Sequence, residues 1–327
     1  ARARLEREAR ALAQLTHENI VEVYDFSTDD PECTWLVMEL VDGISLGRFL
    51  DEVMPKMMPE IAAAIAFEVT LALVAAHARG IVHRDVKPDN ILIDRATGRP
   101  RLGDFGLAKL AGDGRVTITG NLVGSPSYMS PEQAEGRATD HRTDLFSVGC
   151  LLYRSITGVT PFRGETQLDT LRNVAEGAFA DPTALEPSCT GAIAGVIRRA
   201  LAHGIEERHQ NAEELRDDLR RVLEDAGLTA TREELARFFE DPSACQQALS
   251  ARLRGVLEAR ARTLLDAGCE ARAMDCFQRA MTLSHGDDGA PDLVRELSAR
   301  QRRRPTRARK IGAGIAMGLG AVATFAA

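Results

Sequence analysis

The sequence has six cysteines and no Cys-x-x-Cys pair. That excludes a zinc ribbon or a disulfide framework and suits a reducing cytosol. It has no excess of positive charge: the net charge is −7, so no basic face for nucleic acid is expected. Lysine is scarce beside arginine, and none occurs before Lys56, which makes each lysine informative. No signal peptide opens the chain, residue 1 is Ala rather than Met, and the first residues already read as mid-helix. The true N-terminus is therefore expected upstream.

What is present is ordinary for a globular protein: 44% hydrophobic and 27% charged residues over 327 positions, enough for about two domains by the rough rule of 150 residues each. Leu5, Ala9, Leu12 and Leu15 fall on one helical face. Two β-like runs follow, "IVEVYDF" (20–26) and "TWLVMEL" (34–40). After Asp42-Gly43 the pattern turns helical, with a long apolar helix at 60–79 and further helices near 131–136, 143–157, 166–176, 190–202 and 211–226. Short strands are expected at 81–82, 91–93 and 101–103.

Between those strands lies "HRDVKPDN", residues 83–90. Phosphoryl transfer needs an oriented acceptor hydroxyl, a grip on the phosphates and metal to neutralise charge. Asp85 can accept the hydroxyl proton, Lys87 can meet the γ-phosphate, and Asn90 can offer a neutral oxygen to a magnesium ion. Further on, "GDFGLA" supplies Asp104, a second metal-holding oxygen group. A hairpin made from the intervening residues would bring Asn90 and Asp104 together.

With Ser130-Pro131-Glu132 downstream, three motifs stand in order, and the chain resembles bacterial eukaryotic-like serine/threonine protein kinases over residues 1 to about 226. The resemblance implies an α+β, bilobal fold with an incomplete small lobe and a mainly helical large lobe. It implies ATP with Mg2+, or alternatively Mn2+, and protein substrates. Lys87 within the "HRDxKPxN" pattern points to serine/threonine rather than tyrosine acceptors.

Carried over position by position, the family places Glu8 on helix C as partner of a strand-3 lysine. Met38 falls at the gatekeeper position, Glu39 and Val41 at the adenine edge, and Leu92 beneath the adenine ring. Lys87, Asn90 and Asp104 complete the cofactor-binding set. His83, Phe105, Leu12 and Val23 match a stacked apolar column, with packing preferred over catalysis for His83. Asp144 would anchor the catalytic loop, Glu132 would pair with Arg208, and Ser125 would contact Asp85 and Lys87. Arg84 implies an anionic partner in the activation segment, for which phosphorylated Thr117 or Thr119 is expected on autophosphorylation.

The domain plan is a small-lobe remnant at 1–43, a large lobe at 44–226, a helical segment at 227–299, a basic stretch at 300–310 and an apolar stretch at 311–327. Within the helical segment Ala261, Leu264, Gly268, Ala273, Phe277 and Ala280 are spaced like one tetratricopeptide unit, an irregular helical linker being the alternative. The basic and apolar stretches together read as the start of a single transmembrane helix, with the kinase part cytoplasmic and the protein in the inner membrane. A homodimer is compatible with this plan. Neither a Gly-rich loop nor a lysine precedes Glu8, so weak turnover is expected of these residues by themselves. A membrane-tethered, pseudokinase-like scaffold is the rival reading.

Overall fold

The computed structural model describes residues 12–27, 35–105 and 126–283. Glu8, Thr117, Thr119 and Ser125, the basic stretch and the apolar stretch lie outside the described residues.

Strands β1 (Val23–Ser27) and β2 (Trp35–Met38) pair antiparallel as a two-stranded ribbon. Among the described residues no third strand joins it. Strand β3 (Gly43–Ser45) follows, where the sequence had suggested helix, and leads into helix α1 (Leu46–Glu52). The Ser45 side chain caps α1 by accepting from the Arg48 amide at 3.2 Å.

Helix α2 (Pro59–His77) begins with proline at its first turn, where a missing N–H costs nothing. It is apolar almost all round and therefore central rather than superficial. It is long and apolar enough to cross a membrane, but here most of it is buried within the protein, and it carries two buried carboxylates, Glu60 and Glu68.

Residues 81–82 do not form the expected strand. Ile81 instead bonds back to the end of α2, through its amide to the Ala76 carbonyl at 3.0 Å, and the next amides are taken by a side chain described below. Strands β4 (Ile91–Asp94) and β5 (Pro100–Leu102) form the expected hairpin, with Ile91 opposite Leu102 and Ile93 opposite Pro100. β3 adds to the other side of β4.

The remaining helices are α3 (Pro131–Ala134), α4 (Arg142–Thr157), α5 (Gln167–Glu176), α6 (Pro182–Leu185), α7 (Gly191–Ala200) and α8 (Ala212–Asp225). Their ends follow local chemistry. Ser130 with Gln133, and Thr166 with Asp169, form capping boxes at the starts of α3 and α5. Gly158 closes α4 at φ 82°, a conformation that favours glycine. α4 and α8 pack against α2, α7 packs against α4 and α8, and Leu73, Phe146, Leu151, Ile197 and Leu219 are all buried in that core.

Three further helices, α9 (Thr231–Glu240), α10 (Pro242–Asp266) and α11 (Glu270–Thr282), continue the same compact unit. α10 and α11 form an antiparallel pair across a turn at Gly268, φ 76°. They are not left with bare faces. Arg279 of α11 forms a buried two-pronged ion pair with Glu60 of α2. Asp275 accepts from the Ala192 amide and the Thr190 hydroxyl, both at 2.9 Å, and so caps the start of α7 from outside. Phe238 and Phe239 of α9 also meet Phe49 of α1 edge-on, so among the described residues the helical segment packs on the large lobe.

Candidate active site

The loop from His83 to Asn90 has few ladder bonds of its own, so its backbone depends on side chains. Asp144, buried in the first turn of α4, accepts from the His83 amide at 2.9 Å and from the Arg84 amide at 2.7 Å. His77 meets the same carboxylate at 2.8 Å. Arg84 is held at φ 63°, in the left-handed region that is uncommon for a residue with a Cβ. Its carbonyl accepts from the Gln133 side chain at 2.9 Å. The sequence reading did not single out Gln133; its role as a capping-box residue was legible, its second bond was not.

Asp85 is thereby turned toward Lys87 and Asn90. Lys87 Nζ donates to Asp85 Oδ2 at 2.9 Å. The Asn90 amide nitrogen donates to the Asp85 carbonyl at 2.8 Å and to Oδ2 at 3.0 Å. Charge-assisted bonds of this kind hold the carboxylate in one orientation. An oriented carboxylate is what a proton acceptor for an alcohol requires.

Because the Asn90 nitrogen is committed to Asp85, its amide oxygen is the atom left for a metal. The Gly103 amide donates to the Asn90 carbonyl at 2.9 Å, joining the two ends of the β4–β5 hairpin beside Asp104. Asp104 is exposed and, at φ 51°, also left-handed. Backbone strain at two non-glycine residues within one loop pair is of the kind that persists where surrounding structure over-determines it. Among the described residues no cluster of three or more His, Cys, Asp or Glu side chains forms a metal centre by itself. An oxygen pair, Asn90 with Asp104, fits Mg2+, which prefers one or two protein oxygens plus phosphates and water.

His83 is fully buried; its Nε2 meets the Gly103 carbonyl at 2.9 Å and its ring lies 4.5 Å from that of Phe105. Leu12, Val23 and Phe105 are buried too. Its ring is thus engaged in packing and a backbone bond.

Glu132 and Arg208 meet in two parallel bonds of 2.9 Å, both side chains buried. Burial alone would raise the Glu132 carboxyl, but the Arg208 and Thr143 bonds override it and lower it to about 2. Arg208 also donates to the Ala202 and His203 carbonyls and lies 4.9 Å above the Phe146 ring.

On the nucleotide side the placement is looser. Met38 is exposed, Val41 and Leu92 are half-buried, and the Glu39 side chain turns away to a bidentate pair with Arg101 of β5. The Glu39 amide donates to the Glu22 carbonyl at 2.8 Å. The pair with Arg101 was not foreseen from sequence.

Comparison with known proteins supports what the geometry outlines. The family model for the protein kinase domain matches residues 1–218. A probable serine/threonine-protein kinase of Clostridium perfringens is 37% identical over 228 residues, 69% of this chain and 33% of that protein. The serine/threonine-protein kinase PknB of Mycobacterium tuberculosis is 38% identical over 224 residues, 67% of this chain and 36% of that protein. PkaA of Streptomyces coelicolor, also a serine/threonine-protein kinase, is 40% identical over 227 residues, 68% of this chain and 40% of that protein. The crystal structure of the M. tuberculosis PknI kinase domain superposes with a TM-score of 0.53 at 28% identity, covering 67% of this chain and 78% of that one. The chain spans about a third of the length of the first curated relatives it matches. With its catalytic-loop motif, its Asp-Phe-Gly segment and its Glu132–Arg208 pair set in this fold, the chain belongs to the protein kinase family.

Proposed function

We propose that these residues form the catalytic part of a bacterial serine/threonine protein kinase, which transfers the γ-phosphoryl group of ATP to protein hydroxyls. The observation that carries the reading is the Asp85 carboxylate, held by Lys87 and Asn90 on a loop clamped by Asp144.

In this reading Asp85 receives the acceptor hydroxyl and takes its proton as the oxygen attacks the γ-phosphorus, whose bond to the bridging oxygen breaks to release ADP. Lys87, now bonded to Asp85, lies where it can also meet a phosphate oxygen carrying the departing charge. Asn90 and Asp104 would hold Mg2+, which when bound screens the phosphate charge. Arg208 and Glu132 fix the segment that faces a protein acceptor.

The basic stretch ahead of the apolar run at 311–327 supports tethering to the inner membrane, with the catalytic part in the cytoplasm.

The test is single-turnover transfer from radiolabelled ATP with Mg2+ or Mn2+ to a general protein acceptor, comparing the chain with Asp85→Ala. Loss of the general base should lower the rate by roughly 10²–10⁴-fold, with phosphate recovered on serine or threonine. Transfer untouched by the substitution, or phosphate on tyrosine, would overturn the reading.

A further inference from the structure

Helix α9 begins beyond the residues that match the family, yet its first residue enters a buried network leading to the active site. Thr231 Oγ1 donates to Glu68 Oε1 at 2.8 Å. Glu68 Oε2, on the same carboxylate, accepts from Asn19 Nδ2 at 2.9 Å. All three side chains are buried.

Asn19 then grips β5 from two sides. Its side-chain nitrogen donates to the Pro100 carbonyl at 3.1 Å, and its backbone carbonyl accepts from the Leu102 amide at 2.8 Å. The Val21 amide completes the match by donating to the Leu102 carbonyl at 2.9 Å. Leu102 lies two residues before Asp104. A carboxylate and a carbonyl only accept, so the Asn19 amide can satisfy both in a single orientation, with its nitrogen between them.

A separate contact places α9 against the same hairpin. Gly98, at the β4–β5 turn with φ 65°, sits so close that an added Cβ would lie 2.5 Å from Ala236 Cα. Arg232, next to Thr231, reaches Glu18 with two bonds and lies 3.7 Å from Glu68. The helix therefore touches both the turn of the hairpin and the segment that pins its second strand.

We propose that Thr231 is a positioning residue for Asp104: its hydroxyl fixes Glu68, Glu68 fixes Asn19, and Asn19 sets β5 and the strand end that carries Asp104. Asp104's metal-holding role rests on the function proposed above; the setting of β5 does not. Buried hydrogen-bond chains act as units, so removing the first donor loosens the last acceptor.

The test uses the full chain without nucleotide and follows amide hydrogen exchange across residues 98–105. Thr231→Val, which keeps shape and removes the hydroxyl, should speed exchange at Leu102 and Gly103 on the order of tenfold. Amides of α4 should stay at the unaltered rate. Thr231→Ser, which restores the donor, should return Leu102 and Gly103 to their original protection. Asn19→Ala, which cuts the chain at its last step, should speed the same amides and shows that the measurement sees the strand.

Unchanged exchange in Thr231→Val while Asn19→Ala responds would overturn the proposal. Equal acceleration in the Val and Ser variants would also overturn it, since a bulk undocking of α9 ignores the hydroxyl. Neither result depends on phosphoryl transfer, so failure here and failure of the kinase reading are told apart.

Discussion

Asp85 sits on a loop whose amides at His83 and Arg84 are tied to Asp144 and whose end is tied through Asn90. Met38 sits on a two-stranded ribbon where Trp35, Val37 and Met38 itself are exposed, as are Tyr24 and Leu40 nearby. Both belong to one nucleotide-dependent reaction in the function proposed above. The difference is in what holds them. The loop takes its shape from buried, charged acceptors in the large lobe, so it can be rigid without ladder bonds of its own. Among the described residues the ribbon has a single antiparallel strand pairing, tied to β5 through Glu39 and Arg101, and a two-stranded pair is marginal in water. The loop that carries Asp85 is thus tied to the large lobe through Asp144.

The contrast is tested most severely at the base of the large lobe. Arg208→Met leaves Glu132 buried without its cation and also abandons the Ala202 and His203 carbonyls. Removing one partner of a buried pair costs about 3–5 kcal/mol. The urea midpoint should fall accordingly, and far-ultraviolet dichroism should show the helical lobe melting early. A loss below about 1 kcal/mol would mean that the lobe is no more tightly specified than the ribbon.

Acid reaches the same pair without mutation. The Glu132 carboxyl is lowered in the folded protein to about 2, below an unfolded value near 4.3. A depressed carboxylate contributes its stability above the unfolded pKa and loses it as pH falls through the folded one. The pair's share, on the order of 3 kcal/mol, is therefore complete above about pH 4.5 and fades between there and about pH 2. Glu132→Gln should flatten that part of the stability profile while lowering stability at neutral pH. An unchanged acid limb would place the acid sensitivity elsewhere.

Legibility in the sequence followed the same division. Asp85, Lys87, Asn90 and Asp104 are contained in two short motifs, and the hairpin between them is marked by apolar residues on either side of a Thr-Gly turn. Glu132 and Arg208 were readable as partners only through resemblance, since 76 residues separate them. The Glu60–Arg279 pair and the Thr231–Glu68–Asn19 chain were not foreseen, because they join segments 219, 163 and 49 residues apart whose local surroundings give no hint of contact. A signal was nevertheless present: Glu60 and Glu68 interrupt an otherwise apolar helix, and a buried carboxylate requires a partner. The strand at Gly43–Ser45 escaped notice because three residues are too few for periodicity to show.

A smaller effect is expected where the helical segment meets the hairpin. Gly98→Ala places a methyl 2.5 Å from Ala236 Cα and forces a Cβ into a left-handed turn at φ 65°. Overpacking and backbone strain together should cost about 2–3 kcal/mol. Cleavage by a protease at low enzyme ratio should then begin between α8 and α9 rather than at the strand turn. Uniform resistance would show that the helices bear on the hairpin less than the distances imply.

The least effect belongs to the ribbon. Leu40 is 94% exposed, so it gives up almost no contact when shortened, and surface changes of this kind usually fall within about 0.5 kcal/mol. Leu40→Ser and Val37→Thr should leave the unfolding midpoint where it is. They should instead reduce association, because a ribbon that is exposed and apolar, and that no third strand joins among the described residues, offers a template for pairing with another chain. Light scattering on warming at high concentration separates the two quantities: onset of scattering should move upward while the dichroism midpoint stays fixed. If the midpoint fell as far as it does for Arg208→Met, Leu40 and Val37 would be core residues, and the ribbon would be held as firmly as the catalytic loop.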